Sequence, residues 1–515
     1  MADGAARTVA ALLARPGSTE PALLAPDRPT LDHGGLTRLI EATVARLNGL
    51  GIGRNDRVAI VLANGPEMAA AFVAIAAGAT TAPLNPAYRE EELDFYLSDL
   101  RARALVVAEG DEGPAVAVAR RHGAAVLRLK VPAGAPAGWF ELDGEAATGG
   151  QPGPAGLAGP DDIALVLHTS GTTSRPKIVP LTQANLCASA GHIAATLGLT
   201  AADRCLNVMP LFHIHGLMAA TLASLSAGGS LYAPGGFNAL RFFAWLDDAK
   251  PSWYTAVPTM HQTILARAAR NTESIARAKL RLIRSSSASL PAQVMRELEA
   301  TFGCPVIESY GMTEASHQMT SNQLPPGQRK PGTVGQAAGP LVGIMDEQDR
   351  LLANGATGEV VISGPNVTPG YENNPDANAK AFVTIDGRRW FRTGDEGRFD
   401  ADGFLTITGR LKEIINRGGE KVSPLEVDSI LMDHPAVAQV VTFAMRHDKL
   451  GEEVAAAVVL REGTAADEAE LRGFCGGRLA DFKVPRRILV VEEIPKGATG
   501  KLQRIGLAKR LGLEA

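Results

Sequence analysis

Short apolar runs alternate with helix-period segments through much of this chain. Val58–Leu62, Ala104–Val107 and Ala125–Leu127 read as strands, with Glu67–Ala76 and Pro114–His122 as helices between them. Asp143–Pro160 is rich in Gly, Pro and Ala without a period, so it reads as a loop. The alternation resumes with strands at Ile163–Leu167, Leu206–Met209, Trp253–Val257, Leu280–Ser285 and Pro305–Ser309. Strand–helix alternation of this kind predicts two doubly wound, mostly parallel α/β subdomains.

The texture changes at residues 332–409. Gly358–Ser363, Trp390–Arg392 and Phe404–Thr408 are β-like runs separated by Gly, Asn and Asp, which predicts a small β-barrel or antiparallel sheet. The charged connector Arg410-Leu-Lys-Glu follows. Beyond it come a helix at Pro424–Met432, strands at Val437–Ala444 and Val454–Leu460, a helix at Asp467–Arg478 and a strand at Ile488–Val491. We therefore expect an N-terminal domain over 1–411 and an α+β lid over 412–515, about a hundred residues by ordinary domain size.

Composition narrows the function classes. With 515 residues the chain is too long for one core, and 45% hydrophobic with 21% charged residues is ordinary for a globular protein. A net charge of −4 argues against a nucleic-acid partner, which needs clustered Lys and Arg. Four scattered cysteines form no Cys-x-x-Cys, so neither a zinc site nor a disulfide framework is expected, and a reducing cytoplasm fits. No apolar run reaches the ~18 residues of a membrane span, and Met1–Arg15 lacks the layout of a signal peptide.

The chemistry concentrates first in Leu167–Lys177. Thr169, Ser170, Thr172, Thr173 and Ser174 supply hydroxyl donors, Gly171 permits close backbone approach, and Lys177 adds a charge. These are the parts of a polyphosphate cradle, although a Ser/Thr-rich surface turn has the same composition. No Gly-x-x-x-x-Gly-Lys-Ser/Thr occurs, so it is not the helix-opening P-loop.

Six motifs then follow in order. They are His168-Thr-Ser-Gly-Thr-Thr-Ser-Arg-Pro-Lys177, Pro210-Leu-Phe-His-Ile-His-Gly216, Tyr310-Gly-Met-Thr-Glu314, Arg392-Thr-Gly-Asp395, Gly409-Arg-Leu-Lys-Glu413 with Arg417-Gly-Gly-Glu-Lys-Val-Ser-Pro424, and Pro495-Lys-Gly-Ala-Thr-Gly-Lys501. Together they resemble the acyl-adenylate-forming superfamily, which contains acyl-CoA synthetases, and the resemblance covers nearly the whole chain. It implies ATP and CoA as co-substrates and Mg²⁺ as cofactor. It implies that Thr169–Lys177 holds the β- and γ-phosphates and that Ser309, Tyr310, Gly311, Met312 and Thr313 contact adenine and the α-phosphate. Glu314 would ligate Mg²⁺, Asp395 would accept from the ribose hydroxyls, and Arg410 would reach ribose or phosphate. Lys501 and His213 are implied as catalytic, Lys412 as the hinge of a rotating lid, and Gly418 and Gly419 as walls of the pantetheine tunnel. Taken singly, Tyr310 could be a core residue, Asp395 an Asx-turn, Gly418-Gly419 a plain turn and Lys501 a solvated charge.

The acyl-pocket segments are polar. His213 and His215 flank Ile214, Arg284-Ser-Ser-Ser-Ala-Ser289 follows an apolar strand, and His317 lies three residues after Glu314. With Ser174 after Thr-Thr, these segments resemble the oxalate–CoA ligase branch, which implies that His213, His215, Ser289 and His317 bind a small dicarboxylate. Oxalate is the expected substrate and malonate its nearest competitor. Other outcomes are transfer to a carrier protein or an idle nucleotide sensor. We expect no membrane partner and a monomer or homodimer. Ile178 departs from the glycine usual after the loop lysine, and a β-branched residue there is expected to stiffen the loop.

Overall fold

The computed structural model describes residues 6–148, 150–169, 176–496 and 502–513. It is mixed α/β, with four sheets among the described residues. One seven-stranded sheet carries Arg57–Val61, Thr80–Pro83, Ala104–Ala108, Ala125–Lys130 and Ile163–Thr169 in parallel. A nine-stranded sheet carries Arg204–Asn207, Trp253–Ala256, Leu282–Ser285 and Val306–Met312 in parallel. Both faces of such strands are covered, which is why they read as unbroken apolar runs.

The helix Pro66–Ala76 shows why small residues are needed between the sheets. Apart from Glu67 it is buried along its whole length, and its alanines let neighbouring elements approach. Its apolar side chains share one cluster with residues from both large sheets. At the centre of the nine-stranded sheet lie fully buried Trp253, Arg284 and Tyr254.

The chain leaves the sheet earlier than its hydrophobicity predicts. Val208 and Met209 continue the apolar run, but the strand ends at Asn207, whose Oδ1 accepts from the Met209 amide at 3.0 Å. That Asx-type bond turns the chain toward Pro210–Gly216. The next element is a π-helix, His215–Leu222, buried at every residue.

Residues 341–410 pair antiparallel into a five-stranded sheet. Its long strand Arg388–Phe399 pairs with Thr357–Ser363, Phe382–Ile385 and Leu405–Arg410. A second five-stranded sheet lies beyond residue 412. Strand Gly451–Leu460 is its centre, paired antiparallel with Val437–His447, and Arg487–Val490 returns parallel to it after the helix Glu468–Gly476. Ser423 caps the helix Pro424–Met432 by accepting from Glu426 N, and its own hydroxyl donates to the Thr408 carbonyl across the connector. Arg461 pairs with Glu297 at 3.1 Å, a further tie between this sheet and the large α/β part.

Candidate active site

The strand Ile163–Thr169 pairs antiparallel with Lys177–Thr182, Thr169 opposite Lys177, which fixes the two strand ends on either side of residues 170–176. Ser170, Gly171, Thr172, Thr173 and Ser174 lie outside the described residues. A capping box fixes the exit. Thr182 accepts from Asn185 N while the Asn185 side chain accepts from Thr182 N, and this starts the helix Gln183–Thr196.

Lys177 Nζ sits 4.3 Å from the centroid of the Tyr371 ring, and the Tyr371 hydroxyl donates to Glu314 Oε1 at 2.9 Å. Burial lowers the Lys177 pKa; Glu314 opposes the shift, and the charges of Lys412 and Lys380 add to it. Burial likewise raises the Glu314 pKa. A cation and a carboxylate thus share one partly dry corner. Ile178 does not stiffen a loop, contrary to the expectation: it is an extended strand residue opposite His168, 6% exposed, in an apolar cluster with Val166. Its carbonyl accepts from Glu372 N at 3.1 Å. The fold needs no positive φ there.

The strand Val306–Met312 carries Ser309, Tyr310, Gly311 and Met312. Gly311 is required by close approach, since a Cβ there would lie 1.8 Å from the His317 carbonyl oxygen. Met312 and Thr313 are half-buried at the turn that follows. The Tyr310 hydroxyl donates to Asp395 Oδ2, and Arg410 Nε donates to Asp395 Oδ1 at 3.0 Å. Asp395 and Arg410 are directly opposed on neighbouring strands, so the sheet register makes the pair. The carboxylate keeps further lone pairs for other donors. Ser309 is buried; its hydroxyl pairs with Ser321 Oγ at 2.8 Å and its carbonyl accepts from Ser286, so its side chain serves the sheet.

The three histidines converge. The rings of His215 and His317 meet edge to face at 5.0 Å, and His213 Nδ1 faces the His215 amide at 3.5 Å. His213 is half-buried; the other two are buried. His317 has φ 100, a strained backbone of the sort that collects at functional sites. The serine that joins this cluster is Ser287. Its Oγ lies 3.0 Å from His215 Nδ1, at φ 75, whereas Ser289 is exposed with no hydrogen bond among the described residues. On its other side His215 Nε2 meets Thr255 Oγ1 at 2.6 Å and Arg284 Nη1 at 3.4 Å. Ser287, Thr255, Arg284 and Gln318 escaped the sequence reading as site residues, although Arg284 and the serines were visible as a polar tail on an apolar strand.

Other implied residues are not gathered here. Gly418 and Gly419, at φ 63 and 100, form the exposed tip of a hairpin between Ile415–Arg417 and Glu420–Val422. Gly418 packs near Leu450, and a Cβ on Gly419 would meet nothing within 4 Å. Lys412 is exposed beside the end of the Leu405–Arg410 strand, close enough for its charge to act on Lys177. Lys501 lies outside the described residues. Among the described residues no three His, Cys, Asp or Glu side chains form a metal cluster, and no helix is long and apolar enough to cross a membrane. Magnesium bound through one carboxylate and substrate phosphates needs no such cluster, and the buried Glu314 fits it.

Two large α/β sheets with a linked Tyr310–Asp395–Arg410 trio and a buried polar pocket, and a smaller α+β part beyond them, are the architecture of an adenylate-forming enzyme. The chain belongs to the AMP-binding enzyme family, whose model matches residues 14–372 and whose C-terminal domain model matches 426–501. It is 46% identical to an oxalate–CoA ligase of Arabidopsis thaliana, over 92% of each chain. It is 42% identical to one of Saccharomyces cerevisiae, over 88% of this chain and 87% of that one. The crystal structure of ATP-bound MatB from Rhodopseudomonas palustris superposes with a TM-score of 0.85 at 30% identity, covering 96% of this chain and 97% of that one.

Proposed function

We propose that the protein is an ATP-dependent CoA ligase for a small dicarboxylate, with oxalate as its substrate. One carboxylate attacks the α-phosphate of ATP and pyrophosphate leaves. CoA thiolate then attacks the acyl-adenylate and AMP leaves. The observation that carries the reading is the buried polar cluster of His215, His317, Ser287 and Arg284 beside the nucleotide shelf. A long apolar tail there would leave buried polar groups unpaired, at about 1–3 kcal/mol each. The names of the plant and yeast relatives support the same substrate.

In this reading Tyr310 packs on adenine, Asp395 accepts from ribose and Arg410 meets ribose or phosphate. Lys177 and the Thr169–Ser174 segment hold the β- and γ-phosphates. Glu314 would hold Mg²⁺, which would supply positive charge to offset that of the phosphates. Its carboxylate is kept in place by the Tyr371 hydroxyl. His213 orients the acid, Lys501 stabilises charge on the bridging oxygens, and the 412–515 domain turns about Lys412 to bring Gly418-Gly419 to the thiol.

The test is a panel of mono- and dicarboxylates from C2 to C8 with ATP and CoA, read as AMP and thioester. Oxalate is expected to give the highest kcat/KM. Butyrate or a longer fatty acid outperforming it refutes the substrate. Adenylation without CoA transfer favours a carrier-protein acceptor, and AMP binding without turnover favours a sensor.

A further inference from the structure

Among the described residues Arg284 is a buried cation without a counter-charge. Arg284 is fully buried on the central strand Leu282–Ser285, and no carboxylate among the described residues pairs with it. Its hydrogen bonds are long, 3.4 Å to His215 Nε2 and 3.5 Å to Gln318 Oε1, and its Nε has no partner among the described residues. Burying a guanidinium on such terms is strongly unfavourable unless something compensates. Burial pulls its pKa down to about 9, so at pH 7 it remains a cation. The acidic group that acts on it is the Cys205 thiol, which burial keeps protonated.

The neighbouring buried acid does not compensate. Glu308 stands opposite Ser285 in the parallel register, while Arg284 stands opposite Ile307, so the two charged side chains leave opposite faces of the sheet. Glu308 Oε1 accepts from Leu290 N at 2.8 Å, and burial raises its pKa to about 8.

The groups around Arg284 are arranged to expose its charge to the acyl side. The Gln318 amide nitrogen donates to Thr196 Oγ1 at 3.0 Å and to the Ala338 carbonyl at 3.1 Å, so its oxygen must turn to Arg284. Arg284 can only donate, so His215 Nε2 accepts and the ring proton sits on Nδ1, aimed at Ser287 Oγ. Ser287 is half-buried and is left with its own hydroxyl proton to give.

We infer that Arg284 is the specificity charge of the acyl site: its missing anion is the second carboxylate of the substrate, which it holds electrostatically through His215 and Gln318. It is a positioning residue; it touches no reacting atom. The inference rests on the dicarboxylate reading above and adds the residue that enforces it.

Two variants test it in the full-length enzyme. Arg284→Met removes the charge and keeps much of the volume. Gln318→Glu supplies an anion from the protein at the acceptor position Arg284 already uses. In both, the ratio of kcat/KM for oxalate over propionate is expected to fall by roughly 30-fold or more, mostly through the KM for oxalate, as loss of a charged hydrogen-bonded interaction predicts. The KM for ATP is expected to stay within about threefold. Arg284→Lys, which keeps the charge, is expected to recover most of the ratio. A structural role for Arg284 predicts instead equal losses for every acid, and Gln318→Glu with an unchanged ratio overturns the inference even if Arg284→Met fails to fold. Should the unmodified enzyme itself prefer monocarboxylates, the dicarboxylate reading falls and this inference with it. Should it prefer oxalate while both variants keep that preference, this inference alone falls.

Discussion

Asp395→Asn is the most direct probe of the nucleotide shelf. The carboxylate accepts from Tyr310 on Oδ2 and from Arg410 Nε on Oδ1 at 3.0 Å, and it is 6% exposed. An amide can serve Arg410 with its oxygen, but its NH2 then faces Tyr310, whose hydroxyl must turn to accept. The Tyr310 bond becomes a neutral one, and the Arg410 bond keeps a charge on its donor only. About half of the Arg410 side chain is in solvent, so the ion pair itself contributes little, and we expect folding stability to fall by only about 1–2 kcal/mol. The larger effect is on ATP. Two ribose hydroxyls donating to a carboxylate give about 1.5 kcal/mol each at the low end, about 3 kcal/mol together. That is roughly a 150-fold loss in kcat/KM for ATP. Pyrophosphate release at saturating oxalate and varied ATP, with urea unfolding alongside, measures both quantities. A kcat/KM within about threefold of the unmodified enzyme, with the modest stability loss intact, would refute the ribose role.

Three further outcomes follow from particular contacts. Glu308 has its pKa raised from 4.5 to about 8, so the stability it allows is full below 4.5 and falls as pH rises toward about 8; Glu308→Gln should flatten that fall in urea midpoints measured between about pH 5 and about pH 8.5, and parallel curves would contradict it. Ile178→Gly removes a buried side chain and should cost about 3–5 kcal/mol of stability, while a loss below about 1 kcal/mol would mean the site is not packed as described. Lys501→Ala should abolish adenylation yet spare thioester formation from preformed acyl-adenylate, and equal loss of both half-reactions would exclude the assigned role.

Much of the architecture was legible because it rests on local signals. The Pro424–Met432 helix begins with Ser423 as its cap and proline at its first position, and its bounds are those expected. The Ala104–Ala108 strand is apolar because both faces are covered. Glu314, Asp395 and Arg410 stood out through the order of their motifs. What could not be read depends on tertiary contact. Tyr371 reaches Glu314 from 57 residues away and belongs to no motif. Ser287, not Ser289, meets His215, and it does so at a positive φ that a linear sequence does not reveal. The π-helix His215–Leu222 has a composition that an ordinary helix would share. Arg284 looked like the polar end of a strand because nothing in a linear sequence says which face of the sheet is dry.

The placement of Arg284 has a consequence for how this enzyme can change. In many enzymes, substrate preference lies on surface loops that drift freely. Here the selecting group lies in the middle of a nine-stranded sheet, flanked by Thr255 and Ile307 on adjacent strands. A lineage that exchanged it for a neutral residue would have to refill the same space and re-satisfy His215 and Gln318 at once. Single substitutions there would therefore weaken the choice of oxalate without building a fitted site for another acid. Efficient use of a new acid is expected to require replacements at both Arg284 and Gln318, and directed-evolution libraries that vary only the exposed rim should leave the choice of acid untouched.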